Sequence, residues 1–169
     1  MENMKQAYIY HTKLGKILIA EDGEGIAEVS VITGQESMEN EEYPNDSDRN
    51  YEFRETVLIK ETAGQLEEYL EGKRKEFTVK LHPQGTEFQK KVWEALRAIP
   101  YGETRSYKQI AAAVGNEKAC RAVGMANHNN PIVCIIPCHR VIGANGKLVG
   151  YACGLSMKEQ LLNMEKERK

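Results

Sequence analysis

Three side chains with complementary chemistry are adjacent in this sequence: the thiol of Cys138, the imidazole of His139 and the guanidinium of Arg140. They follow a short apolar run, residues 132–136, which predicts a buried strand. Reactive groups often lie where a rigid strand ends in a loop, because the strand fixes their position and the loop leaves them accessible. A thiol beside an imidazole and a guanidinium is also in an electropositive environment, which favours the thiolate. Cys138 is therefore the first candidate nucleophile.

Three other interpretations of these cysteines stay open at this point. Reduced Cys is among the most buried residue types, and packing explains Cys134, inside the apolar run, better than Cys138. A metal site at Cys134, Cys138 and His139 is disfavoured, because adjacent Cys and His rarely bind one ion and the sequence has no Cys-x-x-Cys pair. A disulfide between Cys134 and Cys138 would need both side chains on one side of a strand end. From the local sequence alone, catalysis and packing are close alternatives for Cys138.

The length, composition and cysteine content predict a cytoplasmic protein of one or two domains. The 169 residues are 41% hydrophobic and 28% charged, which is ordinary for a soluble globular protein. No stretch approaches the roughly 18 apolar residues of a membrane span, and the N-terminus lacks the pattern of a signal peptide. The four cysteines, between positions 120 and 153, are typical of reduced thiols in the cytosol.

The charges are divided unevenly between the two halves of the chain. Residues 1–82 carry 10 Lys/Arg and 18 Asp/Glu, a balance of −8, whereas residues 83–169 carry 13 and 7, a balance of +6. A basic half suggests a polyanionic partner, and the alternative is that the imbalance is ordinary solvated surface.

The expected fold class is α+β, with residues 1–82 forming a small domain of antiparallel sheet and helix. Gly-containing turns separate three predicted strands, and the acidic segment that follows predicts a loop. Apolar residues at helical spacing then predict a helix, after which one more strand is possible. In chain order these elements are strands 8–10, 16–20 and 27–32, loop 36–50, helix 56–71 and strand 76–81.

Residues 83–169 are expected to form a mostly helical second domain. Capping boxes, in which a Ser or Thr is followed three residues later by Gln or Glu, predict helix starts at Thr86, Ser106 and Ser156. The helix from Ser106 and another over residues 117–127 are separated by a Gly-Asn turn, which is a helix-turn-helix pattern.

The second helix of this pair is rich in small residues, among which Arg121 projects. Small side chains let a helix approach another surface closely, and that surface could be the protein core. An arginine within such a face favours contact with a nucleic-acid backbone or groove. The small residues are Ala119, Cys120, Ala122, Gly124 and Ala126.

These motifs together resemble the O6-alkylguanine-DNA alkyltransferases. The segment Pro137-Cys-His-Arg-Val141, preceded by Asn130-Pro131, is similar to the active-site signature of that family. The resemblance covers nearly all of residues 83–169 in the family's order and spacing, whereas residues 1–82 match only in length and in strands followed by a helix. The further matching segments are 86–93, 100–107, 121–124 and 161–165.

The resemblance implies direct repair of alkylated guanine in double-stranded DNA, with Cys138 accepting the alkyl group in a single event. It implies a relay in which His139 takes the thiol proton through water while Glu165 holds the imidazole. It further implies that Asn130 orders the turn carrying the cysteine and that Tyr107 donates a hydrogen bond to the base.

The same resemblance implies minor-groove binding of DNA with the target base flipped out. Arg121 would replace the extruded nucleotide, and the residues around it would contact DNA. The implied DNA contacts are Ser106, Ala119, Cys120 and Gly124, and the implied base pocket comprises Tyr151, the Ala152 amide and the Val141 carbonyl. We expect a monomer that needs no cofactor.

This chain departs from the family pattern in three respects. Cys153 stands where the family commonly has Gly, in the loop over the base pocket, and Val133 stands where some members have Pro. Both changes bear on the range of alkyl groups accepted. No Cys precedes position 120, so the zinc ligands of some members' N-terminal domains are missing and we expect no metal.

Three rival functions are weaker. A module that recognises alkylated DNA without transfer is disfavoured, because the branch with that function replaces the cysteine. A transcription regulator that reads the major groove with residues 106–127 would need polar base-reading side chains in place of the small ones. A thiol hydrolase would need a further arrangement of a histidine and an acidic residue, separate from His139 and Glu165, and no such arrangement is evident in the sequence.

Overall fold

The computed structural model describes residues 4–32, 45–46, 51–143 and 155–168, with the backbone alone described at 45–46. The chain divides into two compact units, Met1–Pro83 and Gln84–Lys169. Within the described ranges, no helix is long and apolar enough to cross a membrane.

The first unit is built on a sheet whose described strands are in the order β3-β2-β1-β5-β4. The first three strands form the predicted antiparallel meander, and Gly15, at φ +101°, follows the tight turn between the first two. The strand β5 adds to β1 in parallel, a pairing that the sequence did not predict, and β4 lies within the predicted loop 36–50. The strands are β1 (Lys5–Thr12), β2 (Gly15–Glu21), β3 (Ile26–Val31), β4 (Asn45–Asp46) and β5 (Tyr51–Phe53).

One helix, α1 (Val57–Leu70), packs against this sheet as the apolar spacing predicted. Its N-terminus is capped by Thr56, whose hydroxyl accepts a hydrogen bond from the Ile59 amide at 3.2 Å. The strand predicted at 76–81 is not a regular strand, because its pairing is limited to a single parallel bridge between Leu81 and Ile26.

The described helices of the second unit form around a buried apolar core. Capping boxes begin α2 and α3 at Thr86 and Ser106 as predicted, whereas Ser156 is the second residue of α5 rather than its cap. The indole of Trp93 donates to the Ala126 carbonyl at 2.8 Å and so ties α2 to α4. The helices are α2 (Glu87–Arg97), α3 (Tyr107–Ala113), α4 (Cys120–His128) and α5 (Leu155–Glu167).

The helices α3 and α4 form the predicted helix-turn-helix. Gly115, at φ +86°, lies in the turn that joins them, a backbone conformation that glycine adopts without strain. The second helix begins at Cys120, three residues later than the first residue of the predicted range 117–127. A short parallel pair, β6 (Arg105–Ser106) and β7 (Val141–Ile142), brings the start of α3 beside the segment that follows Cys138.

The apolar run 132–136 is a buried turn, so the predicted strand was wrong. Asn130 uses both ends of its amide here: Oδ1 accepts from the Ile132 amide at 2.9 Å, and Nδ2 donates to the Ile136 carbonyl at 2.8 Å. The Ile136 amide in turn donates to the Ile132 carbonyl at 3.0 Å. These bonds satisfy buried backbone groups within the segment, and strand-like pairing is limited to a single β-bridge at Ile132.

Candidate active site

Cys138 is the first residue of a 3-10 turn, Cys138–Arg140, and it is held there by its backbone. Its amide donates to the Ile136 carbonyl at 2.8 Å, across Pro137 at φ −81° and ψ 65°. This is an inverse γ-turn, and the proline ring fixes the φ angle that it requires. Cys138 is 0% exposed, which corrects the expectation of an accessible cysteine in a loop.

Cys134, four residues earlier, has a strained backbone. Its φ is +69°, and the Ile135 amide donates across it to the Val133 carbonyl at 2.8 Å. A left-handed conformation costs a residue with a side chain about 1–2 kcal/mol. The two buried hydrogen bonds of Asn130 are of a kind that contributes about 1 kcal/mol each, which is enough to offset this strain. Asn130 therefore orders the segment that leads into Cys138.

Glu165 accepts the hydrogen bonds that position His139 and Arg140. Its Oε2 accepts from His139 Nε2 at 2.7 Å, and its Oε1 accepts from Arg140 Nε at 2.8 Å and from the Gly102 amide at 3.1 Å. The carboxyl group is 1% exposed, and burial alone would raise its pKa. Hydrogen bonds from His139 and Arg140, together with the positive charge of Arg140, outweigh burial and lower the pKa of Glu165 to about 2. Glu165 is therefore an ionised carboxylate at neutral pH.

This carboxylate determines which nitrogen of His139 carries the proton. An ionised carboxylate can only accept, so Nε2 must be the donor in the 2.7 Å bond. Burial lowers the pKa of His139, while the bond to Glu165 opposes the shift without reversing it. The imidazole is consequently neutral, and the buried Nδ1 is its unprotonated nitrogen. In this state Nδ1 is chemically able to take a proton from a thiol, directly or through water.

Arg140 is directed at Glu165, contrary to the expectation that it makes the surroundings of the thiol positive. Its Nη2 donates to Glu165 Oε2 at 3.1 Å, beside the Nε bond, so the guanidinium binds the carboxylate with two groups. Its Nη1 donates to the Ile99 carbonyl at 2.7 Å. Planar guanidinium and carboxylate groups match each other in this geometry, and the positive charge of Arg140 is balanced by Glu165.

Lys158 supplies a positive charge to Cys138, and sequence reasoning missed it. The side chain is fully buried on α5, with Nζ 6.0 Å from the centre of the Tyr107 ring. Burial lowers the pKa of Lys158 to about 8, and the charge of Cys138 opposes that shift. The signal that could have identified it is spacing: Lys158 precedes Glu165 by seven residues, two helical turns, and so lies on the same helix face.

Tyr107 and Asn127 complete the group around the nucleophile. Burial and then the charge of Cys138 raise the pKa of Tyr107, while a hydrogen bond from Asn127 opposes the increase. The Asn127 amide also donates to the Cys138 carbonyl at 3.4 Å. Asn127 is fully buried and was not identified from the sequence. Tyr107 and Cys138 are therefore close enough to interact electrostatically, and Asn127 acts on both residues.

Comparisons with known proteins place this chain in a family. Residues 87–167 match the DNA binding domain of 6-O-methylguanine DNA methyltransferase, and residues 6–83 match the ribonuclease-like domain of the same family. The methylated-DNA–protein-cysteine methyltransferase of Methanosarcina acetivorans is 53% identical over 157 residues, which are 93% of this chain and 96% of that protein. The chain belongs to the 6-O-methylguanine DNA methyltransferase family.

Two further relatives are similar over most of the chain and support the same family. The constitutive methylated-DNA–protein-cysteine methyltransferase of Bacillus subtilis is 46% identical over 156 residues, 92% of each protein. The crystal structure of Mycobacterium tuberculosis OGT in complex with DNA superposes with a TM-score of 0.84 at 38% identity, covering 96% of this chain and 94% of that one. The α+β architecture predicted from the sequence is thus the architecture of this methyltransferase family.

The candidate DNA contacts of this family member lie on or next to α3 and α4. Arg121 is exposed on α4, and one turn later Met125 is 63% exposed, an apolar residue that the sequence analysis did not single out. The remaining candidates are partly exposed and lie nearby in the chain: Ser106 is the N-cap of α3, Ala119 is the N-cap of α4, Cys120 is its first residue, and Gly124 faces the Tyr107 ring.

The candidate base pocket is described in part. Val141 is buried in β7, where it pairs with Arg105. Tyr151, Ala152 and Cys153 lie outside the described residues.

The metal and disulfide alternatives find no support in the described part of the chain. No group of three or more His, Cys, Asp or Glu side chains suited to holding a metal ion occurs there. The described cysteines, at positions 120, 134 and 138, are thiols.

The Glu165 network predicts acid-dependent stability. Because the pKa of Glu165 falls from 4.5 to about 2 on folding, its stabilisation is complete above pH 4.5 and is lost as the pH falls toward 2. We expect the free energy of unfolding, measured with urea between pH 5 and 3, to fall more steeply in the wild type than in Glu165→Gln. The full effect amounts to about 3 kcal/mol. The exposed Glu159→Gln on the same helix is the matched control, and equal slopes for wild type and Glu165→Gln would contradict this account.

Proposed function

We propose that this protein is a methylated-DNA–protein-cysteine methyltransferase that repairs duplex DNA. It moves the methyl group of O6-methylguanine, and also that of O4-methylthymine, to the sulfur of Cys138. The observation that carries the proposal is the arrangement of a buried thiol next in sequence to a neutral His139, whose Nε2 is bound to the ionised Glu165. Family membership and the names of the relatives support the same reaction.

The first step is ionisation of the thiol. Cys138 gives its proton through water to Nδ1 of His139, and Glu165 stabilises the imidazolium that forms. Lys158 stabilises the thiolate, because a positive charge on a buried ammonium acts strongly where water is excluded. Arg140 makes a smaller contribution to the sulfur, since Glu165 balances its charge.

The second step is alkyl transfer. The thiolate attacks the alkyl carbon, a carbon–sulfur bond forms, the bond from that carbon to the base oxygen breaks, and its electron pair remains on the base. Tyr107 donates its hydroxyl proton toward the departing guanine and so relieves the negative charge that develops there. A thioether is a poor leaving group, so each molecule reacts once and no cofactor is required.

DNA engagement is assigned to the helix-turn-helix of residues 83–169, which carry the balance of +6. Flipping a base out of a duplex costs roughly a few kcal/mol. Arg121 fills the vacated place in the stack, and the exposed Met125 adds an apolar surface of the kind that minor-groove proteins insert between bases. Ser106, Ala119, Cys120 and Gly124 form the close-approach surface, and the DNA complex of the Mycobacterium tuberculosis relative supports this partner class.

The base pocket assigned to the flipped guanine uses backbone groups for specificity. The amide of Ala152 faces the guanine oxygen, the carbonyl of Val141 accepts from the exocyclic amine, and Tyr151 lines the pocket. We further propose a monomer, since the side chains of one chain suffice for both steps. A cytoplasmic location is supported by the thiols at Cys134 and Cys138, which fit a reducing compartment.

Transfer to Cys138 is tested by intact-protein mass after incubation with duplex DNA containing O6-methylguanine. We expect a gain of one methyl group per molecule, mapped by peptide analysis to Cys138 and absent from Cys138→Ala. The control Cys134→Ala is expected to keep the gain. Tight binding of methylated DNA with no change of mass would favour a recognition module, and sequence-specific protection of undamaged DNA would favour a regulator.

The role of Arg121 is tested by comparing two substrates. Because Arg121 is proposed to fill the place of the flipped nucleotide, Arg121→Ala should slow repair of methylated duplex DNA by about a hundredfold. Transfer from a free alkylated base needs no flipping and should stay within about twofold of wild type. Single-turnover rates on the two substrates give the comparison, and Lys118→Ala, an exposed cation just before the helix, is the control. Equal losses of rate on both substrates would refute this role of Arg121 in base flipping.

A further inference from the structure

We propose that Asn127 is a positioning residue for alkyl transfer, acting through Tyr107 and the turn that carries Cys138. This inference rests on the proposed function and adds a residue to it. Its amide would keep the Tyr107 hydroxyl pointing its proton at the base and stabilise the oxygen from which that proton is donated.

The orientation of the Asn127 side chain follows from its contact with Cys138. The nitrogen Nδ2 lies 3.4 Å from the Cys138 carbonyl oxygen, and a carbonyl oxygen can only accept. The amide nitrogen must therefore face the turn of the nucleophile. Asn127 is the penultimate residue of α4 and is fully buried, so solvent does not compete for this contact.

Tyr107 lies against the same helix, because Gly124, one turn before Asn127, faces its ring. A hydrogen bond to the Asn127 side chain lowers the pKa of Tyr107, which is the effect of a donor, so we infer that the amide N–H points at the hydroxyl oxygen. When that oxygen accepts from Asn127, the hydroxyl proton points away from the amide and is directed at another acceptor. Burial raises the pKa of Tyr107 and so keeps its hydroxyl protonated. The hydrogen bond from Asn127 lowers the pKa of Tyr107, because it stabilises the phenolate. Asn127 thus makes Tyr107 a better donor at the moment when charge develops on the leaving base.

An asparagine with a purely structural role would be expected to satisfy both ends of its amide. The Oδ1 atom of Asn127 is buried, and within the described part of the chain it has no hydrogen-bond partner. Such buried atoms are uncommon in native proteins and call for a reason, because an apolar residue would fill the same space without the loss. The donor capacity of the amide supplies that reason.

The position of Asn127 also joins the DNA-facing helix to the reactive group. The helix α4 exposes Arg121 on one side and buries Asn127 on the other. A shift of this helix would therefore displace the amide from Tyr107 and from Cys138. Misplacement of a reacting group by about 1 Å can cost on the order of a hundredfold in rate.

A double-mutant cycle between Asn127 and Tyr107 tests the inference. Single-turnover methyl transfer from methylated duplex DNA is measured for the wild type, Asn127→Leu, Tyr107→Phe and the double variant, with DNA affinity measured in parallel. Leucine has the branched skeleton of asparagine and the same number of side-chain heavy atoms, but it lacks the N–H group, so it removes the donor. Asn127→Ala provides a second substitution at this position, and the exposed Asn129→Ala is the control that should keep the wild-type rate.

We expect Asn127→Leu to slow transfer by about tenfold while DNA affinity stays within about twofold. In the Tyr107→Phe background, the same substitution should cost less than about twofold, because the hydroxyl through which it acts has gone. A wild-type rate in Asn127→Leu, or a full tenfold loss in both backgrounds, would overturn the role through Tyr107. Absence of transfer in the wild type would overturn the proposed function as well, whereas normal wild-type transfer with either of those results overturns this inference alone.

Discussion

The buried carboxylate of Glu165 is the group on which the arrangement of the site depends. It accepts hydrogen bonds from His139, from Arg140 and from the Gly102 amide, and so holds together the turn of the nucleophile, the C-terminal helix and the segment after α2. A buried carboxylate with a single partner would be costly and would tend to protonate. With several donors it stays ionised, and an ionised Glu165 fixes the protonated nitrogen of His139.

The charges of the site are consequently separated into two pairs. Arg140 and Glu165 neutralise each other, while Lys158, on the same helix as Glu165, interacts electrostatically with Cys138. In the proposed mechanism, α5 therefore contributes both to proton removal, through Glu165, and to stabilisation of the thiolate, through Lys158. This separation leaves His139 neutral and able to accept a proton, while the charge of Lys158 acts on Cys138.

Much of the fold and part of the site could be predicted from the sequence, and the failures have physical causes. Capping boxes and apolar spacing identified α2, α3 and the helix-turn-helix because these signals are local. The run 132–136 was mistaken for a strand because a short apolar run does not distinguish a strand from a buried turn, and the deciding bonds come from the Asn130 side chain. The partner of Arg140 is 25 residues away in the chain and could not be read from adjacency. Asn127 was detectable in principle, since it shares a buried helical stripe with Val123 and Ala126.

The most direct test of this account is the protonation state of His139, measured by ¹⁵N NMR of the imidazole ring in the DNA-free protein at neutral pH, with the signal assigned by its loss in His139→Gln. The account predicts a neutral ring with its proton on Nε2, bound to Glu165, and an unprotonated Nδ1. A ring protonated on Nδ1 alone, or an imidazolium at neutral pH, would contradict it, because His139 could then not accept the proton of Cys138.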